Sequence, residues 1–294
     1  MPTQIERLVV LMLENRSFDH MLGFLKRDNP KINGLKGDEW NYPIDDAAPN
    51  VTVSSDAGDV DDLNPDPNHE FDHVTNQISS TSDPVGNPDM KGFVQDYFTA
   101  CHNKAQAANI MKCFTPETLP ILSTLATQYA VCDRWFASVP GSTIPNRLFV
   151  HGASSAGSLT QDAIAAPFAL HTIFESFDAT TPHDFAIYTS GASILLANRY
   201  LLQHQDKFRD YRQFVFDAAN GNLPAYTFIE PAYDDDGEGL FANSQHPDFP
   251  VDRGEALIRE IYVSIRATTR LTAWAVSLEV SSPFWRRRRS GLTR

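Results

Sequence analysis

The chain has 294 residues, 42% of them hydrophobic and 21% charged, and its 37 acidic against 24 basic side chains give a formal net charge of -13. That length and apolar fraction suffice for a large core, and the charge excludes a nucleic-acid partner. No apolar run approaches the ~20 residues of a membrane span, and Cys101, Cys113 and Cys132 lack metal-type spacing and read as reduced thiols. The first strand begins almost at residue 1, leaving no room for a signal peptide, so a cytoplasmic protein with peripheral membrane contact is expected.

Residues 8–13, LVVLML, form a continuous apolar run and read as a buried parallel strand. It ends abruptly in Glu14, Asn15, Arg16, Ser17, Phe18, Asp19 and His20. Open α/β sheets bind ligands beyond the carboxyl ends of their strands, so Glu14 and Asn15 stand where metal or phosphate ligands are expected. Asn15 or Ser17 as the cap of a helix starting near Phe18, with Asp19 on its dipole, is the plainer reading of these residues. It leaves the Glu14 carboxylate without a partner. Residues 38–90, rich in Asp, Asn, Pro and Ser, read as an irregular loop region in which the carboxylates from Asp56 to Asp66 form a solvated surface. Residues 111–136 read as a helix, with Thr115 and Glu117 as its start signal and Pro116 in the first turn, followed by a strand at YAVCDRWF.

The segment VPGSTIPNRLFVHG (139–152) places two hydroxyls, Ser142 and Thr143, on a Gly/Pro-punctuated turn just before Asn146 and Arg147. A hydroxyl at a strand-to-helix junction projects clear of the backbone, and the helix N-terminus offers unpaired N–H groups and positive dipole to an anion, an arrangement suited to attack on a phosphoester. Ordinary loop punctuation, with Pro145 at the first helical position, explains the same residues. Further along, residues 193–220 look like an amphipathic helix, and LPAYTFIEP (223–231) reads as a buried strand with Glu230 at its end. Asp234, Asp235, Asp236, Gly237 and Glu238 do not have EF-hand spacing and read as a solvated turn.

Five blocks in order, ENRSFDHMLGFL (14–25), NPKINGLKG (29–37), DPNHEFDHV (66–74), CDRWFASVPGSTIPNRLFVHGASSAG (132–157) and SQHPDFPVDRGEALIREIY (244–262), resemble the phosphoesterase family of bacterial phospholipases C and acid phosphatases. The likeness is nearest to the plant non-specific phospholipases C. TIFESFD (172–178) resembles the family's helix before the strand HDFAIYTS (183–190). The resemblance implies an alkaline-phosphatase-like α/β/α sandwich with long loop insertions. It also implies hydrolysis of glycerophospholipids to diacylglycerol and a phosphorylated head group. Carried over, it makes Thr143 the nucleophile with Arg147 in the same element, Glu14 and Asn15 metal or phosphate ligands beside Thr143, and His69 and His246 the site histidines. A divalent metal ion is the implied cofactor and a phospholipid or other phosphoester the implied partner. His20, His73 and His151 lie within the blocks without an assigned role, and His102, His171, His183 and His204 are read as structural.

The end of the chain departs from the family. Relatives run through Ser-Pro-x-Trp into an apolar strand ending in Asp-Glu-His-Gly-Gly, which supplies further acidic ligands. Here SSPFW (281–285) is followed by Arg286, Arg287, Arg288 and Arg289, and beyond Arg266 the only acid is Glu279. Residues 267–280 resemble an insertion. The expectation is a catalytic domain over 1–265, incomplete at its carboxyl end with an unpaired sheet edge, and a divergent basic tail over 266–294. A gene-model fault accounts for this end best, ahead of a basic membrane anchor or a solvated terminus. Phospholipase C activity is the leading expectation; acid phosphatase action on monoesters, or an impaired relative that only binds phospholipid or a partner, are the alternatives.

Overall fold

The computed structural model describes residues 6–58, 63–80, 88–161, 169–179, 184–237, 239–267 and 272–278. Its centre is a five-stranded sheet in the order β5-β4-β6-β1-β7, formed by β1 (Arg7–Leu13), β4 (Phe185–Thr189), β5 (Phe208–Asp210), β6 (Tyr226–Glu230) and β7 (Thr272–Leu278). All four pairings are parallel. The strand sequences explain why: RLVVLML, FAIYT and YTFIE are nearly continuous apolar runs, as required of strands covered on both faces.

Alternate residues separate the two faces. Val9, Leu11 and Leu13 of β1, Ala186 and Tyr188 of β4 and Ile229 of β6 pack against Leu257, Ile258, Ile261 and Ile265 of one helix, α10 (Val251–Arg266), and Phe214 and Ala218 of another, α9 (Tyr211–Ala219). Met12, Phe185, Ile187, Tyr226 and Phe228 point the other way, onto Phe174 of α7 (Ile173–Ala179) and Leu201 of α8 (Arg199–Gln203). The result is an α/β/α arrangement. Between β1 and β4 the chain also forms α1 (Phe18–Leu22), a small antiparallel pair β2 (Trp40–Asn41) and β3 (Val51–Thr52), α2 (Phe71–Ile78), α3 (Phe93–Cys101), α4 (Lys104–Ala107), α5 (Pro120–Gln128) and α6 (Thr143–Gly152).

Several expectations are corrected by this architecture. The 38–90 region is not only loop: it contains β2, β3 and α2, and its Val53 and Leu63 join Phe93, Val94, Tyr97 and Met111 in a second core with Phe24 and Leu35. The packing of α2 against α3 needs Gly92, where a Cβ would sit 1.8 Å from the Asn76 carbonyl oxygen. The helix expected from Thr115 begins at Pro120, because Thr115 and Thr118 close a turn on each other first. YAVCDRWF is not a strand; Tyr129, Trp135 and Phe136 are exposed on an irregular segment. The 193–220 helix is broken at Asn198 and Asp210, whose side chains cap α8 and α9, with β5 between them. Pro145 is the third residue of α6 instead of the first.

Residues 272–278, expected as part of an insertion, form β7 and pair with the whole length of β1, from Arg7 with Thr272 to Leu13 with Leu278. β1 therefore lies inside the sheet, between β6 and β7. His183, Glu238, Glu279, the SSPFW element and the arginine run lie outside the described residues.

Candidate active site

The carboxyl ends of the strands open into one cleft of about 910 Å³. Glu14 and Asn15 after β1, Ser190 and Gly191 after β4, and Pro231 to Tyr233 after β6 contribute to its wall, and so do Thr143, His69, His246 and Asp248. Ligands of open α/β sheets gather at this edge.

Asn15 has a left-handed backbone (φ 50), a conformation that Asn tolerates better than most residues. Its side chain is buried. The amide nitrogen donates to His246 Nε2 at 2.6 Å, while His246 Nδ1 lies 2.9 Å from Asp248 Oδ1, so the ring proton belongs on Nδ1. Asn15 Oδ1 is buried with no hydrogen-bond partner among the described residues, and so is Asp66 Oδ1. Buried oxygens of this kind are costly unless something binds them.

His246 is held from behind by Arg16, which the sequence reading left unassigned. Its guanidinium donates to the carbonyls of Gln245 at 2.5 Å, His246 at 3.3 Å and Phe249 at 3.5 Å. Complete burial lowers its pKa to about 10 against the raising effect of Asp66 and Asp248, and it stays charged at neutral pH. The backbone N–H of Glu14 donates to the Ser244 carbonyl at 2.9 Å, which ties the strand end to the same loop.

His69 approaches from the excursion. Its Nδ1 faces Asp66 Oδ2 at 3.2 Å, and the His69 and His246 rings meet edge to face at 5.7 Å between centroids. Burial opposes a charge on His69. The hydrogen bond and charge of Asp66, the Pro67 carbonyl and Glu70 outweigh it, raising the pKa to about 9. The loop is fixed by Tyr97, whose hydroxyl donates to the Pro65 carbonyl at 2.9 Å, and by Gln77, which donates to the Asn68 carbonyl at 2.6 Å and to Asp96 at 2.7 Å. Asp66 is thus part of the site and not a solvated carboxylate. Asp66, His69 and His246 bring ligand atoms within 4.8 Å of one another, a set able to hold a metal ion.

Thr143 is the first residue of α6 and stands on the cleft wall; the preceding Ser142 is the N-cap by position only, its side chain making no cap hydrogen bond and its Oγ buried without a partner among the described residues. Asn146 fixes the preceding turn. It accepts from Val139 N–H at 3.0 Å, and its amide reaches the carbonyls of Val139, Ser142 and Gly141 at 3.0, 3.1 and 3.3 Å. Arg147 is 1% exposed and not on the cleft wall. It lies under the site, 3.5 Å from Glu14 and 4.0 Å from Glu230. Burial raises the pKa of Glu230 despite Arg147, Ser193 and Tyr233.

Three other histidines in the recognised blocks serve packing or framework. His20 stacks on Phe114, His73 pairs with Asp96, and His151 stacks on Phe174 with its pKa lowered to about 3 by burial. His171 is exposed beside Glu175. The three cysteines are unbridged.

Residues 5–278 match the phosphoesterase family. The chain belongs to that family. It is 41% identical to non-specific phospholipase C6 and 40% identical to non-specific phospholipase C1 of Arabidopsis thaliana, each over 90% of this chain and 50% of the relative. It is 24% identical to phospholipase C B of Mycobacterium tuberculosis, over 96% of this chain and 60% of the relative. The chain thus spans about half the length of the plant relatives it matches. No described helix is long and apolar enough to cross a membrane.

Proposed function

We propose that the chain carries the nucleophile half of a phospholipase C-type hydrolase that acts on glycerophospholipids. The observation that carries this is Thr143: a helix-start hydroxyl on the wall of the cleft that Glu14, Asn15, His69 and His246 also line. The α6 N-terminus presents backbone N–H groups and positive dipole to the phosphate, and Thr143 Oγ1 attacks phosphorus in line. His69, charged at neutral pH, donates the proton that the leaving diacylglycerol alkoxide needs. Asn146 keeps the turn in place, and Arg147 and Arg16 fix Glu14 and His246 from behind.

The donors suit a hard divalent cation: an orphaned amide oxygen on Asn15, the Glu14 carboxylate and the Thr143 hydroxyl would hold it. Such an ion lowers the pKa of the hydroxyl and neutralises phosphate charge. Cytoplasmic location with peripheral membrane contact fits the substrate. The test is diacylglycerol release from phosphatidylcholine vesicles with added divalent metal. Thr143→Ala is expected to lose turnover by about a thousandfold or more, and turnover retained in that variant would overturn the assignment.

A further inference from the structure

His246 has a polar neighbour at each ring nitrogen. Asp248 Oδ1 lies 2.9 Å from Nδ1, and Asp66 Oδ1 lies 3.7 Å from the same atom. Carboxylates only accept, so the proton of the neutral ring sits on Nδ1 and Nε2 is left as a bare acceptor. The atom 2.6 Å from Nε2 is the amide nitrogen of Asn15. With its nitrogen turned to the ring, the Asn15 amide must face its oxygen the other way, and there the oxygen is buried with no hydrogen-bond partner among the described residues.

The amide has a second orientation that packing does not exclude. Oxygen and NH2 are close in size, so a half-turn about the last side-chain bond exchanges them without changing the space filled. Their chemistry differs: an oxygen ligates a hard divalent cation, whereas an NH2 group repels one. Both ends of the contact are fixed. Asn15 is buried on a left-handed backbone, the His246 carbonyl is held by Arg16, and the His246 ring abuts His69 at 5.7 Å between centroids. The Glu14 N–H bond to the Ser244 carbonyl keeps the two segments in register. The tautomer of His246 is what selects the oxygen.

We propose that Asp248 is a positioning residue for the divalent cation: by keeping the His246 proton on Nδ1, it turns the Asn15 oxygen to the cation site. This rests on the cation reading above. Carboxylates placed behind metal-binding histidines orient the ring, and their loss commonly costs about 10–100-fold in metal affinity. Here the same device is one side chain longer, with Asn15 facing the ion and His246 as the link.

The experiment reads Mn2+ affinity of the full chain without substrate, from the paramagnetic resonance of the free ion, so turnover plays no part. Asp248→Leu removes the acceptor and is expected to weaken Mn2+ binding by about tenfold or more. Asp248→Asn removes the charge, but its carbonyl oxygen still accepts from Nδ1–H, so its affinity is expected to stay within about threefold of wild type. Nitrogen NMR of the histidine-labelled protein at about pH 8, above the ordinary imidazole value, reads the link itself, with His246 assigned by its loss in His246→Gln. The ring proton should be on Nδ1 in wild type and in Asp248→Asn, and should move toward Nε2 in Asp248→Leu. Unchanged Mn2+ affinity in Asp248→Leu, equal losses in both variants, or a wild-type proton on Nε2 would overturn the role of Asp248 and leave the cation reading standing. A wild-type chain that binds no Mn2+ would overturn both.

Discussion

Asn146 offers the sharpest separation of framework from chemistry, because its side chain touches only the turn that presents Thr143. The amide has two hydrogens for three carbonyls, those of Val139, Gly141 and Ser142, and its oxygen accepts from Val139 N–H. Counting one acceptor bond and two donor hydrogens at ~1 kcal/mol net each, Asn146→Ala should cost about 3 kcal/mol of unfolding free energy. A freed turn lets Thr143 drift, and a displacement of ~1 Å is enough to cost about a hundredfold in rate. Asn146→Asp retains the acceptor but sets a carboxylate against three carbonyl oxygens, and is expected to be at least as damaging as the alanine. Urea unfolding followed by circular dichroism gives the first quantity, and turnover at saturating substrate under folded conditions gives the second. A stability loss below ~1 kcal/mol in Asn146→Ala, or a tolerated aspartate, would refute this view of the turn.

Replacing Arg16 by Met removes its hydrogen bonds to the Gln245, His246 and Phe249 carbonyls; stability measured by urea should fall by about 2 kcal/mol or more and turnover at least tenfold. His69 has its pKa raised to about 9, so the acid form is present below that pH and activity should decline as pH rises through it; Asp66→Asn should move this limb of the pH–rate profile toward the ordinary imidazole value near 6.5. His151 is buried and neutral, its pKa lowered to about 3, so the stability linked to it is present above pH 6.5 and lost as pH falls toward 3. Between pH 7 and pH 5 the wild type should lose about 2 kcal/mol relative to His151→Phe in urea unfolding.

The sheet was legible in the sequence because its strands are covered on both faces and read as unbroken apolar runs: LVVLML and LPAYTFIEP mark β1 and β6. The ends of those strands then pointed to Glu14, Asn15 and Glu230. The 193–220 segment was misjudged because its apolar periodicity persists across Asn198 and Asp210, and whether such a residue caps a new helix or rides on a continuous one depends on tertiary packing. Asp66 and Arg16 were missed for a different reason. An aspartate in an acidic loop and an arginine after a strand look solvated until the chain folds Asp66 against His69 and buries Arg16 under the 245–249 carbonyls. Asp248, two residues after His246, was the one local signal available, since a carboxylate at that spacing can orient the ring. Arg147 lay inside the recognised element, but sequence does not distinguish a guanidinium aimed at substrate from one buried between Glu14 and Glu230.

The central claim is that Thr143 becomes covalently linked during turnover to the substrate phosphorus, which still carries its head group. Acid quenching of the protein during phosphatidylcholine hydrolysis with divalent metal, followed by peptide mass spectrometry, should show one added phosphocholine group on Thr143 in the peptide spanning residues 139–147, because the departing diacylglycerol leaves phosphorus with its choline ester intact. That group should be absent in Thr143→Ala. A peptide that remains unmodified while diacylglycerol accumulates, or a phosphocholine group found on Ser142 instead, would contradict it.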